Sequence, residues 1–229
     1  LKENSSGRSA VLAIGSKRGL CGSYNNSVYR LLDVHIKRTK SLGKKLDIYA
    51  PTGKIVNVLN YHGIPPAKVY DDIGEMPTDS QILDMADEFM GQYMAGELDY
   101  FGIVYMRFYS MSSQQAQTLT VMPLTELIDD LATRAKAIWP WDLSFEDFYL
   151  SPSPAEIIEG LGRMIIHSSI KSCFMDAVLS EHVARMVAMR NATENADEMI
   201  KELTAEYNRA RQTQITGELL DIISGTGDL

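Results

Sequence analysis

Apolar and polar positions follow one rhythm up to about residue 122 and another after residue 153. In the first part, short apolar runs alternate with segments of helical period. Ser9–Ile14 (SAVLAI) is a run of the length and composition of a buried strand. Between Tyr24 and Ser41 the residues Val28, Leu31, Leu32, His35 and Ile36 recur at helical spacing, and Gly43 ends the segment. Leu46–Ala50 predicts a second strand closed by Pro51, Lys54–Tyr61 a short helix, and Ala67–Tyr70 a third strand. Thr78 with Gln81 is a capping box, and it opens a helix whose inner face carries Ile82, Met85, Ala86, Phe89, Met90 and Tyr93. Tyr100–Tyr109 and Gln117–Met122 are rich in β-formers, and the polar SMSSQQ between them suggests a hairpin. The alternation predicts an α/β fold, a mostly parallel sheet layered with helices, to which the hairpin adds antiparallel strands.

The second rhythm is that of one long helix. Leu124 to Ile138 has a helical pattern that Pro140 breaks, and Phe145–Leu150 reads as a last strand or an extended connection. Ser153 as N-cap, Pro154 at the first helical position and Glu156 completing a capping box then give a strong start signal. No comparable stop occurs before Gly225-Thr226-Gly227. A helix of this extent is on the order of 100 Å long. Gly160, Gly162 and Gly217 weaken it locally, at about 1 kcal/mol each relative to Ala. From His182 a stripe steps by four and three through Met186, Met189, Thr193, Ala196, Ile200, Leu203, Tyr207 and Ala210. This is a heptad seam, and its period predicts a left-handed supercoil with a partner helix. Ala and Thr on the seam allow a close approach. The chain therefore divides at residues 1–152, an α/β domain, and 153–229, a coiled-coil helix.

Composition narrows the functional classes. Of 229 residues only two are cysteine, Cys21 and Cys173, so a disulfide framework is not expected. Four histidines are scattered without metal-ligand spacing, and no metal site is expected. No apolar run reaches membrane-spanning length. The formal net charge of −8 is unevenly spread: residues 1–50 are basic, whereas 71–99 hold no Lys or Arg. The acidic whole lacks a sustained basic and aromatic face, so nucleic acid is not expected as a partner.

Candidate chemistry is sparse. Gly15-Ser16-Lys17-Arg18-Gly19-Leu20-Cys21-Gly22 lies between a predicted strand and helix, where a dinucleotide fold puts its phosphate loop, but its spacing is G-x-x-x-G-x-x-G. Thr52-Gly53-Lys54 resembles the end of a P-loop without the rest of the motif. Glu75, Asp79, Asp84, Asp87 and Glu88 fall mostly on the outer face of their helix. No motif for nucleophilic catalysis is present. Two readings stay open on these grounds: a nucleotide-dependent enzyme on the α/β domain, or a coiled-coil interaction module.

Several segments together carry a resemblance. SKRGLCGSYN near the start, Gln117-Thr118 with Met122-Pro123-Leu124 in the middle, and SEHVARMVAMRNATENADEMI, LTAEYNRARQTQIT and ITGELLDIISGT near the end resemble the gamma subunit of F-type proton-translocating ATP synthases. The resemblance spans essentially the whole chain. It implies a Rossmann-like α/β foot and a C-terminal helix forming half of an antiparallel coiled-coil shaft. The implied function is that of the central-stalk rotor, which couples proton flow through the c ring to conformational change at catalytic sites on the beta subunits. Implied partners are the alpha and beta subunits, the epsilon subunit and the c ring, with no cofactor and no catalytic residue in this chain. The implied location is peripheral, on the cytoplasmic face of a bacterial inner membrane, or less typically on the mitochondrial or chloroplast equivalent. Arg185, Arg211, Gln212, Thr216, Glu218 and Glu181 match shaft positions that meet the beta subunits. The family's long N-terminal helix has no counterpart here, so the seam's partner helix is expected outside this sequence. Ser151 stands where many members have an acid, and 125–148 fits the family poorly.

Overall fold

The computed structural model describes residues 4–123 and 154–226, and the chain divides into two compact units, Leu1–Arg185 and Met186–Leu229. The first unit holds strands β1 (Arg8–Ala13), β2 (Lys45–Pro51), β3 (Lys68–Tyr70), β4 (Tyr100–Ser110) and β5 (Ser113–Met122). Between them lie helices α1 (Tyr24–Ser41), α2 (Lys54–Tyr61) and α3 (Asp79–Met94), and α4 (Pro154–Thr226) follows. The sheet order is β3-β2-β1-β4-β5. β1 pairs in parallel with both β2 and β4, and β5 runs antiparallel to β4.

The period-two rule of strands builds two separate cores on this sheet. Ala10, Leu12 and Ile14 join Tyr49, Phe101 and Ile103 on the face covered by α3 and by the turns of α4 over residues 166–177. Val11 and Ala13 join Ile48, Ala50 and Val104 on the face covered by α1 and α2. With both faces buried, the central strands read as unbroken apolar runs, which is why β1 was visible as one. The Thr78 capping box is present in both directions, with the Gln81 side chain accepting from the Thr78 amide at 2.9 Å.

One expectation needs adjusting. The hairpin turn is tighter than the sequence suggests, since only Met111 and Ser112 separate the strands and Ser113 to Ala116 pair within β5. Polar residues on a half-exposed edge strand cost little, so polarity alone overstated the loop. The long helix starts at Pro154, and the compact unit extends along it to Arg185. Ile166, Ile170, Cys173, Phe174 and Ala177 recur at helical spacing and are all buried in the α3-side core. The expected elements over 124–150 and the Ser153 cap lie outside the described residues.

In the second unit α4 continues, and every position from Met189 to Leu220 is exposed.

Candidate functional site

The site begins at the carboxyl end of β1, where Gly15 to Gly22 turn the chain into α1. Gly15 is required by close approach, because a Cβ there would collide with Ile55 and lie 2.9 Å from Asn25 Oδ1. Asn25 fixes Ser16 twice: its Oδ1 accepts from the Ser16 amide at 2.9 Å, and its Nδ2 donates to Ser16 Oγ at 2.7 Å. Ser16 Oγ donates to the Arg18 carbonyl at 2.8 Å. The Thr52-Gly53-Lys54 tripeptide packs on the same loop. The Lys54 amide donates to the Ser16 carbonyl at 2.8 Å, and a Cβ on Gly53 would lie 2.6 Å from that oxygen. Packing against the loop thus accounts for the P-loop-like residues. Lys17 Nζ donates to the Ile73 carbonyl at 2.7 Å.

The loop's free amides point at the last helix. Glu181 accepts from the Lys17 amide at 2.8 Å through one carboxylate oxygen and from the Arg18 amide at 3.1 Å through the other. Its side chain is only 6% exposed. Arg185, one turn on, ion-pairs with Glu181 and donates from Nε to the Gly19 carbonyl at 3.2 Å. Nearby, Tyr24 Oη donates to the Ala177 carbonyl at 3.0 Å, and burial together with the Glu181 charge raises the Tyr24 pKa. Leu20, at the loop tip, has a positive φ of 62° and is 73% exposed. A branched, non-glycine residue in that region is strained.

This arrangement fills the place where a doubly wound sheet binds nucleotide phosphates. Phe174, Ala177 and Glu181 line the crevice with Ile14, Gly15 and Lys17, and the space left is about 20 Å³, room for one water molecule. The amides that would meet a phosphate already hold a carboxylate. Both cysteines are free and buried, and burial pushes the Cys173 thiol up to about 12. Among the described residues no group of three His, Cys, Asp or Glu side chains is placed to hold a metal ion.

The sequence-selected residues fall into two groups. Glu181 is buried and turned inward, so in this structure its carboxylate serves the loop rather than an exposed face. Arg185 is partly buried with it. Arg211, Gln212, Thr216 and Glu218 are exposed on α4 within the second unit. Thr216 Oγ1 turns back to the Gln212 carbonyl at 2.8 Å, and Glu218 accepts from Gln214 Nε2 at 3.0 Å. His182, Met186, Met189, Thr193, Ala196, Ile200, Leu203, Tyr207 and Ala210 are all exposed. His182 Nε2 lies 3.8 Å from Glu75. The stripe also runs further back than the sequence reading had it: Leu179, Met175, Ser172 and Ser168 continue the same four-three stepping and are exposed on the outer face of the anchored turns. Ser16, Tyr24 and Asn25, which shape the loop, lie in the SKRGLCGSYN segment quoted for the resemblance, but no role was assigned to them from the sequence. Their signal was the polar residues flanking GLCG, legible only beside a glycine loop already taken to be structural.

Comparison with known proteins agrees with this geometry. A family model described as ATP synthase matches residues 1–229. The ATP synthase gamma chain of Rhodopirellula baltica is 35% identical over 215 residues, covering 94% of this chain and 72% of that one. That of Leptospira biflexa is 32% identical over 216 residues, with the same two coverages of 94% and 72%. Among solved structures, a chain in the OSCP/F1/c-ring assembly of the Euglena gracilis mitochondrial ATP synthase superposes with a TM-score of 0.65 at 19% identity, covering 95% of this chain and 71% of that one. A chain of the rotor of the same enzyme gives a TM-score of 0.61 at 18% identity, covering 90% and 74%. The same fold, matched along the whole length and shared with relatives above 30% identity, places this chain in the ATP synthase gamma-chain family.

Proposed function

We propose that the chain is the central-stalk rotor subunit of an ATP synthase, coupling proton flow through a c ring to conformational change at catalytic sites on the beta subunits. The observation that carries this reading is a single 73-residue helix whose early turns are rooted in the core of an α/β unit while its later turns carry a long exposed apolar seam. A helix that is exposed all round gains little stability by itself and needs a partner along its seam. The second helix of the gamma shaft is that partner. Arg211, Gln212, Thr216 and Glu218 lie on exposed turns of α4 and would meet the beta subunits, where Arg and Gln can make charge-assisted bonds to acidic loops. The alpha subunits, the epsilon subunit and the c ring complete the set of partners. The working place is peripheral, on the cytoplasmic face of a bacterial inner membrane.

The chain itself is not a catalyst in this reading. Its crevice is lined by Glu181 and Phe174 and leaves about 20 Å³, which argues against a nucleotide-dependent enzyme on the α/β unit. The test uses the native ATP synthase complex carrying this chain, in inverted membrane vesicles. The intact chain supports ATP-driven proton pumping, and truncation after Arg185 abolishes it. Pumping that survives the truncation would overturn the proposal. Calorimetry of the purified chain with ATP should show no binding, and ATP hydrolysis that disappears on changing Lys17 and Arg18 would refute the non-catalytic assignment.

A further inference from the structure

Glu181 is the least expected feature of the molecule: a buried carboxylate on a helix that accepts two backbone amides from a loop 164 and 163 residues away in sequence. A packing role does not need this. Apolar contacts hold elements together without specifying register, whereas a carboxylate that accepts from two adjacent amides fixes both distance and orientation. Arg185 neutralises the charge and reaches the Gly19 carbonyl, so three successive residues of the loop are tied to one turn of α4. Immediately after the third of them stands Leu20, exposed and in the left-handed region. Strain of that kind persists only where the surroundings over-determine it. The ties at Lys17, Arg18 and Gly19 are the surroundings in question.

We propose that Glu181 is a positioning residue: its carboxylate locks the Arg18–Leu20 tip to α4, so that loop and helix move as one piece and the tip is presented in a fixed conformation. The proposal rests on the rotor reading, in which a loose tip would dissipate motion of the helix instead of passing it on. Glu181 acts through the loop and not by touching a partner itself.

The test compares Glu181→Gln and Glu181→Ala with the unaltered chain in the native complex. Gln keeps the shape but loses the charge, and its NH2 group faces one of the two amides as a donor against a donor. Hydrogen exchange at the Lys17 and Arg18 amides is expected to quicken about tenfold in E181Q and further in E181A. Protons pumped per ATP hydrolysed are expected to fall at least twofold in E181Q, and further in E181A. If E181A does not assemble, E181Q alone carries the test, because it preserves packing. Unchanged exchange and unchanged pumping in E181Q would show that only shape matters and overturn the proposal. Faster exchange with unchanged pumping would also overturn it, since the tip would then be free without consequence. Failure of the unaltered complex to pump would count against the rotor reading instead.

Discussion

Replacing Ile170 by Ala tests whether the turns of α4 over residues 166–177 belong to the foot. Ile170 is fully buried in the core shared by α3 and the sheet. The substitution deletes three buried carbons, at about 0.8 kcal/mol each for transfer alone. Incomplete collapse of the hole raises the total to about 3–4 kcal/mol. The matched control, measured at a dilution where the chain is monomeric, is Ile200→Ala, at a position on the same helix that is 61% exposed. There the change should stay within about 0.5 kcal/mol, and the better helix propensity of Ala can make it slightly stabilising. Urea unfolding of the full chain, followed by near-UV circular dichroism of its tyrosine-rich core, reads the difference. In thermal melts, I170A should lower the midpoint by about 6–16 °C for a unit of this size. A loss below about 1 kcal/mol for I170A would refute the placement of these turns in the core. So would a loss of equal size for I200A.

Three further outcomes follow from local geometry. Asp99 accepts from the Ser6 and Gly7 amides and from Ser6 Oγ, and pairs with Lys44; burial works to raise its pKa, but these donors outweigh it and hold the carboxyl below its ordinary range. A depressed folded pKa stabilises above the unfolded value of about 3.9, and the gain is lost as pH falls through the folded pKa; Asp99→Asn should therefore lower stability at neutral pH and flatten its decline in acid, as measured by urea midpoints between pH 2 and 7. Gly15→Ala drives a Cβ into Ile55, and should cost about 3 kcal/mol or prevent folding, seen as lost soluble yield or a lower melting midpoint. Because the seam is exposed, the purified chain should self-associate, and Ile200→Glu with Leu203→Glu should leave it monomeric in sedimentation velocity; self-association unaffected by both charges would show that the seam is not the contact.

How much of this was legible in the sequence depended on how far apart the deciding residues lie. Strands, helices and the Thr78 cap are set by neighbours within a few positions, and their signals survive in a linear reading. The hairpin turn was misjudged because Ser113 and Gln114 belong to an edge strand whose partner, β4, tolerates polar neighbours. The outward stripe of α4 was readable from periodicity, but the inward one was not separated from it. Ile166, Ile170, Cys173 and Phe174 find their sheet only in three dimensions. The glycine loop was the hardest case. Its place after β1 fits an anion-binding turn although its G-x-x-x-G-x-x-G spacing is not that of a dinucleotide loop, and it does bind an anion. The anion is a carboxylate supplied from 164 residues downstream, which no local motif can announce. Glu181 was singled out through the family resemblance as a contact for another subunit, whereas its chemistry here is internal.

Energy and register are supplied to α4 by different residues. The buried face from Ile166 to Ala177 provides most of the attraction, because it removes apolar area from water, but such a face tolerates small shifts along and around the helix axis. Glu181 sits one turn beyond Ala177 and is bonded to two fixed amides from a side chain only 6% exposed, so a shift of even an ångström weakens a hydrogen bond that little solvent is there to replace. Next comes Arg185, the last residue of the first unit, and beyond it no seam position is covered. The directional contact is therefore placed where the helix leaves its core. A rod that must carry torque needs its register fixed at the point of exit more than anywhere else along its length. For that reason substitutions at Glu181 should impair coupling more than their effect on stability suggests, while substitutions at Ile166 or Ile170 should do the reverse.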